Sequence, residues 1–257
     1  MNQDQSPLDR HFSLPKLRRV DRNRPLAWLK AGWRDLLANP FASLAYGLLF
    51  AIAGDVILIF VWRNAHLFSA AISGFFLISP LLCAGLYEIS RRQEAGQTST
   101  HIDSLAGWSR NGESIAMFGL FLAFIGFVWE RLSAVLFTLL APDLAPDLSA
   151  FVSSILGSRE YRVLVIVWFI AGGCLAFFVF AISAISIPML LDRDTDFVTA
   201  MMTSVRAVLL NLQTMVLWGV VIVLLTLIGF ATLLFGLIVL IPLIGHATWH
   251  AYRDLVE

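Results

Sequence analysis

Charge is scarce in this chain of 257 residues: Asp, Glu, Lys and Arg together make up 14% of it. An ordinary soluble domain carries about 25% of these residues, so a free-standing water-soluble globule is excluded. Cysteine is nearly absent. Cys83 and Cys174, the only two, fall inside apolar runs, where a thiol behaves as a small apolar side chain. They exclude a disulfide framework and a zinc site built on closely spaced ligands. Histidine is limited to five residues, and only His246 and His250 fall within an apolar run. That excludes a haem-copper catalytic subunit, which needs several intramembrane histidines. There is no serine elbow, no phosphate-cradling glycine loop and no nucleic-acid module. Enzyme activity, a cofactor and a nucleic-acid partner are therefore not expected.

What is present is apolar. Hydrophobic residues make up 58% of the chain, and its mean hydropathy is +0.79. Crossing the hydrocarbon takes roughly 20 apolar residues in a helix. Six segments reach that length: Phe41–Trp62, Leu67–Tyr87, Ile115–Leu140, Arg162–Leu191, Leu212–Ala231 and Thr232–His250. The last two nearly touch. No polar loop lies around Ile228, Gly229 and Phe230, so a tight turn at Gly229 is expected, or a boundary a few residues away.

Short flanking loops rich in Lys and Arg stay cytoplasmic. Fourteen of the 18 basic residues fall on one side of the six runs, eight of them between Arg10 and Arg34. The other side holds Arg63, Arg131, Arg159 and Arg162. Both termini are therefore expected in the cytoplasm, with no cleaved secretory signal ahead of the first span. Residues 1–23 form a basic arm facing anionic headgroups, where each Lys or Arg is worth about 1 kcal/mol of attraction. Residues 24–257 form one six-span membrane domain.

One pattern occurs three times: a small residue, seven positions later an Asn, seven later an aromatic, then Gly. The copies are Gly32, Asn39, Tyr46, Gly47; Ser104, Asn111, Phe118, Gly119; and Ser204, Asn211, Trp218, Gly219. Each lies where a polar stretch becomes apolar. Each copy reads as a lead-in helix, an Asn boundary and a span, giving repeats at about 24–95, 96–193 and 194–257. Ala42, Ser114 and Thr214 add a further small position, and Gly54, Gly126 and Thr226 another. Small residues on a stripe let membrane helices approach closely.

Pro80, Pro188 and Pro242 stand near the cytoplasmic ends of the second, fourth and sixth spans, where proline kinks a helix. The lead-in segments are amphipathic. In the first, Leu26, Leu29, Trp33 and Leu36 recur at helical spacing away from Lys30 and Arg34. In the third, Asp194 or Asp196 caps a helix whose Phe197, Met201, Ser204 and Val208 share a side. Such helices lie in the headgroup plane. The fold expected is all-α and integral to the membrane: a six-transmembrane-helix bundle of three two-helix repeats, related by a pseudo-threefold axis along the membrane normal.

Ionisable groups within the spans mark sites by default, because burying charge there is costly. They are Asp55 in the first span and Glu130 and Arg131 in the third. They line a transport path, form an ion pair that locks the bundle, or reach the outer headgroups. His246 and His250 are four apart, a spacing that can ligate one metal from a helix face. No acidic residue lies between them, and aromatic and His residues at this depth serve as interfacial anchors.

The stretches RPLAWLKAGWRDLLANPFASLAYGLLFA, SPLLCAGLYEISRR, PMLLDRDTDFVTAMMTSVRAVLLN and GHATWHAYRDLV resemble the bacterial integral-membrane family called domain of unknown function 2189. The resemblance runs from Arg24 to the end. It implies a six-span protein of the bacterial inner membrane, and supplies no established activity or site residues. Some members carry a label tying them to cytochrome c oxidase subunit I, which the histidine count contradicts for this chain. The function expected is non-enzymatic association, as an accessory or assembly partner of a membrane complex. The alternative is transport of a small solute or lipid along the axis.

Overall fold

A computed structural model of the chain describes residues 14–62, 82–97, 101–140 and 161–257. Ten helices are described: α1 (Arg24–Ala38), α2 (Pro40–Trp62), α3 (Ala84–Glu94), α4 (His101–Arg110), α5 (Gly112–Leu140), α6 (Arg162–Ser183), α7 (Ser186–Asp192), α8 (Phe197–Leu210), α9 (Leu212–Ala231) and α10 (Leu237–Leu255). Four stretches among them are long and apolar enough to cross a membrane: Pro40–Ile59, Gly112–Leu140, Arg162–Asp192 and Leu212–Ala231. Most of the expected second span, with Pro80, lies outside the described residues. So do the residues between 141 and 160.

The described residues fall into two compact units. The first gathers those of Met1–Ala51, Pro80–Phe118 and Phe180–Glu257, the second those of Ile52–Ser79 and Gly119–Val179.

In the first unit, each repeated Asn ends a lead helix and starts a long one. Asn39 separates α1 from α2, Asn111 separates α4 from α5, and Asn211 separates α8 from α9. Asn39 and Asn211 leave helical geometry, at φ/ψ of −131°/58° and −122°/37°. The hydrogen-bond ladder nevertheless passes through: Asn211 N–H donates to Ala207 and its carbonyl accepts from Met215. Asn suits such a bend because its side chain bonds nearby backbone outside helical geometry.

The three side chains reach outward in a common manner. Asn39 Nδ2 donates to Gln93 Oε1 at 3.0 Å, in the last turn of α3. Asn111 Nδ2 donates to the Thr195 carbonyl at 2.7 Å, ahead of α8. Asn211 Nδ2 donates to the Arg18 carbonyl at 3.0 Å, and its Oδ1 accepts from Val20 N–H at 2.9 Å, ahead of α1. Asn111 and Asn211 thus clip the segments that feed α8 and α1, while Asn39 ties α1 to the last turn of α3.

Packing in this unit follows the same order. The inner helices α3, α7 and α10 touch one another, and α4, α8 and α1 pack on them in turn. Leu86 and Ile89 of α3, Ile187 and Leu190 of α7, and Trp249 and Tyr252 of α10 are fully buried. Gly32 brings α1 against the α10 backbone: a Cβ there would lie 2.6 Å from Ala247 N and 2.9 Å from Leu243 O. Gly47 does the same for α2, where a Cβ would overlap the Ile238 carbonyl. Gly219 differs. A Cβ there would meet the Phe180 ring at ordinary contact distance, 3.7 Å. Gly107 seats α4 against Glu88 and Leu191.

Two expectations are corrected, and one left open is decided. The buried face of α1 is Pro25, Trp28, Gly32, Asp35 and Leu36, while Leu26 and Trp33 are exposed; the close approach at Gly32 selects the stripe. Pro188 does not kink a continuous helix. The chain breaks at Ala184 and Ile185, and Pro188 sits in the first turn of α7, where its missing N–H costs nothing. Pro242 does lie inside a helix. The reversal after α9 falls at Thr232–Gly236, three residues beyond Gly229, with Leu233 and Leu234 at φ of 53° and 68°. Thr232 fixes it: its hydroxyl donates to the Gly229 carbonyl and accepts from Gly236 N–H, both at 2.8 Å. Gly229 remains helical and leaves room for the Leu237 side chain.

Candidate functional site

The first unit carries the densest polar chemistry, where α1, α2, α3 and α10 meet. Asp35 of α1 is buried, and its Oδ2 accepts from the Ser90 hydroxyl at 2.6 Å and from His250 Nε2 at 2.8 Å. With its proton committed to Asp35, Ser90 accepts from His246 Nδ1 at 2.8 Å. That fixes the tautomer, so His246 Nε2 accepts from Ser43 at 2.9 Å. Ser43, Ser90 and His246 are all fully buried. The result is one chain of hydrogen bonds, Ser43 to His246 to Ser90 to Asp35, joined there by His250. Satisfied in this way, the groups avoid the cost of about 1–3 kcal/mol that each unpaired buried polar atom would carry. A serine beside an imidazole has the makings of a nucleophile and base, but no solvent-accessible surface on Ser43 receives a substrate.

Beside this chain Glu88 of α3, fully buried, meets three arginines. Arg91 grips it with two bonds of 2.7 and 2.8 Å, Arg92 adds one of 2.9 Å, and Arg110 of α4 approaches to 3.5 Å. Burial pushes the Glu88 carboxyl up, but the bonds from Arg91 and Arg92 outweigh it and hold it below the ordinary value. On the far side of α10, Tyr252 donates to Asp192 at 2.8 Å and accepts from Arg193 at 3.0 Å. Burial, then the Asp192 charge, raises the phenol above its ordinary value. Asp196 is the cap of α8: it accepts from Thr199 N–H at 2.9 Å. Its carboxyl is lowered because these bonds outweigh desolvation.

The segments around Leu17 and Val256 close this unit. Leu17 and Val256 form an antiparallel bridge, with Arg18 N–H donating to Leu255 at 2.9 Å and Glu257 N–H to Lys16 at 3.0 Å. A pocket of about 380 Å³ lies between α1 and α10, lined by Arg24, Ala27, Trp28, Ala31, Arg34, His250, Arg253 and Asp254.

The residues singled out from sequence are placed unevenly. His246 and His250 belong to one network but share no ligand position, since both His246 nitrogens are taken by serines. No group of three or more His, Cys, Asp or Glu able to hold a metal is found among the described residues. In the second unit Glu130 pairs with its neighbour Arg131, whose guanidinium also stands 5.7 Å over the Phe127 ring. Asp55 is exposed and has no described partner. Sequence reasoning missed Asp35, Ser43 and Ser90, which come together only in space. Glu88 had a signal, with Arg91 and Arg92 three and four residues on.

Residues 67–192 match the model of a family described as a predicted integral membrane protein, DUF2189. Over that stretch the chain belongs to this family. The match is narrower than the resemblance from Arg24 to the end, and it makes the chain an integral membrane protein with several apolar helices. No curated protein and no solved structure matches it.

Proposed function

We propose that this DUF2189 protein is non-enzymatic and works by association, as an accessory or assembly partner of a membrane complex in the bacterial inner membrane. One observation carries the reading. Of the four candidate spans, Arg162–Asp192 is the least covered, with 6% of its apolar window buried. Gly173 in its middle has open space above the Cα, and Cys174, Ala176 and Phe177 are exposed beside it. A small-residue face with no neighbour among the described residues is where a second membrane helix can bring its backbone close.

We also read the chain as six spans in three two-span repeats, with both termini cytoplasmic. The set of Asn contacts supports the repeats, and the bridge between Leu17 and Val256 supports a shared side for the ends. Of the charged candidates of the transport alternative, Glu130 and Arg131 neutralise each other, and Asp55 is exposed with no described partner.

Cys174 offers the test, since Cys83 is buried. Membranes are treated with a short thiol cross-linker before the full chain is purified in mild detergent. An adduct with another membrane protein is expected, absent in Cys174→Ser and reduced in Gly173→Leu. A solitary chain in detergent with no adduct would sink the association reading.

A further inference from the structure

The pocket between α1 and α10 has one acidic side chain in its lining, Asp254, and that one is spent. Arg24 holds it with two bonds of 2.6 and 2.8 Å, and Trp28 Nε1 adds a third at 2.9 Å. The remaining polar lining includes Arg34, Arg253 and His250, none of them a carboxylate. Arg34 makes one long bond, 3.4 Å from Nε to the Lys30 carbonyl, and has no carboxylate partner among the described residues. Arg253 is shared loosely between Glu94 at 3.2 Å and Asp192 at 3.4 Å, with its side chain 43% exposed. His250 uses Nε2 on Asp35 and leaves Nδ1 without a described partner. A volume of about 380 Å³ is at the lower end of small-ligand sites, enough for a phosphate with its glycerol.

The neighbouring face of α1 says what kind of phosphate. Leu26, Trp33 and Leu37 are exposed at 69%, 44% and 59%, seven and four residues apart on one side of the helix. Ala27, Ala31 and Arg34, which line the pocket, occupy the adjacent side. One residue past α1, at Asn39, the chain turns into the span beginning at Pro40. An apolar stripe flanked by a cationic pocket at the start of a span matches a molecule that is acyl chain on one part and anion on the other. We propose that this pocket binds the headgroup phosphate of an anionic phospholipid, with Arg34 and Arg253 as its principal contacts. This rests on α1 lying at the cytoplasmic surface, and not on the association of α6.

Native mass spectrometry of the full chain in mild detergent, titrated with phosphatidylglycerol or phosphatidylcholine, tests it. One tight phosphatidylglycerol is expected. Losing a charge-assisted contact in Arg34→Ala should weaken it about tenfold. Ala31→Trp, which fills the pocket without altering charge, should do the same. Lys30→Ala, on the same helix but outside the lining, should leave the affinity unchanged. Equal losses from Lys30→Ala and Arg34→Ala would mean diffuse surface charge and overturn the pocket, as would equal binding of the two lipids. Displacement of the lipid by inorganic phosphate at matching concentration would assign the site to free phosphate and overturn the lipid. Carbonate extraction of each variant reads membrane integration separately, so loss of the pocket is distinguished from loss of the membrane reading.

Discussion

Replacing Gly32 by Ala adds one methyl group, and the structure gives both signs of its effect. In a helix interior the change is favourable by about 0.5–1 kcal/mol, because Gly loses more backbone freedom on folding. Here the new Cβ would lie 2.6 Å from Ala247 N and 2.9 Å from Leu243 O. Both are backbone atoms of α10 that no rotamer change can move aside. Overpacking of this kind costs about 1–3 kcal/mol, and separating α1 from α10 also strains the bonds from Asp35 to Ser90 and His250. The net is a loss of about 1–2 kcal/mol, which for a chain of this size lowers the unfolding midpoint by about 2–8 °C. Gly173→Ala is the control, since nothing lies within 4 Å of its added Cβ and only the helical gain applies. The assay is retention of the monomer peak after heating in detergent. If Gly32→Ala melts at or above wild type, the close approach of α1 and α10 is not what fixes the buried face of α1.

Asn211→Ala removes the acceptor of Val20 N–H and the donor to the Arg18 carbonyl; trypsin should then cut after Arg18 or Arg19 at least several-fold faster, while cleavage elsewhere is unchanged. Glu88 gives a pH dependence of definite sign. Its carboxyl is held below the ordinary value of 4.5, so the stability it contributes is present above that pH and is lost as pH falls through the depressed value. The wild-type midpoint should therefore drop on acidification below about pH 4.5. Glu88→Gln should already be less stable by about 1.5–3 kcal/mol at neutral pH, with the gap to wild type closing at pH 3. A constant gap would assign the acid sensitivity to other groups.

The helix boundaries were legible in the sequence because a polar residue that bonds backbone sits at each junction; Asn39, Asn111 and Asn211 end lead helices where the pattern placed them. The buried face of α1 was not legible. Leu26, Trp33 and Trp28 are equally apolar, and which of them goes inside depends on where Gly32 lets α10 approach. Likewise Pro188 carries no mark that distinguishes a kink from a first turn, and the break at Ile185 decides it. For the site, spacing pointed to His246 and His250, but Ser43, Ser90 and Asp35 are separated from their histidine partners by 203, 156 and 215 residues. No local pattern joins residues so far apart.

The Asn clips have no first member. The one on Asn211 holds the stretch before α1 as the one on Asn111 holds the stretch before α8, and the bridge from Leu17 to Val256 brings the segments around those two residues within a hydrogen bond of each other. In that geometry the order in which the chain visits its lead helices is not fixed by the clips. A permuted chain, with its old ends joined by a short linker and new ones opened ahead of α4 or α8, would present the same set of clips to the same helices.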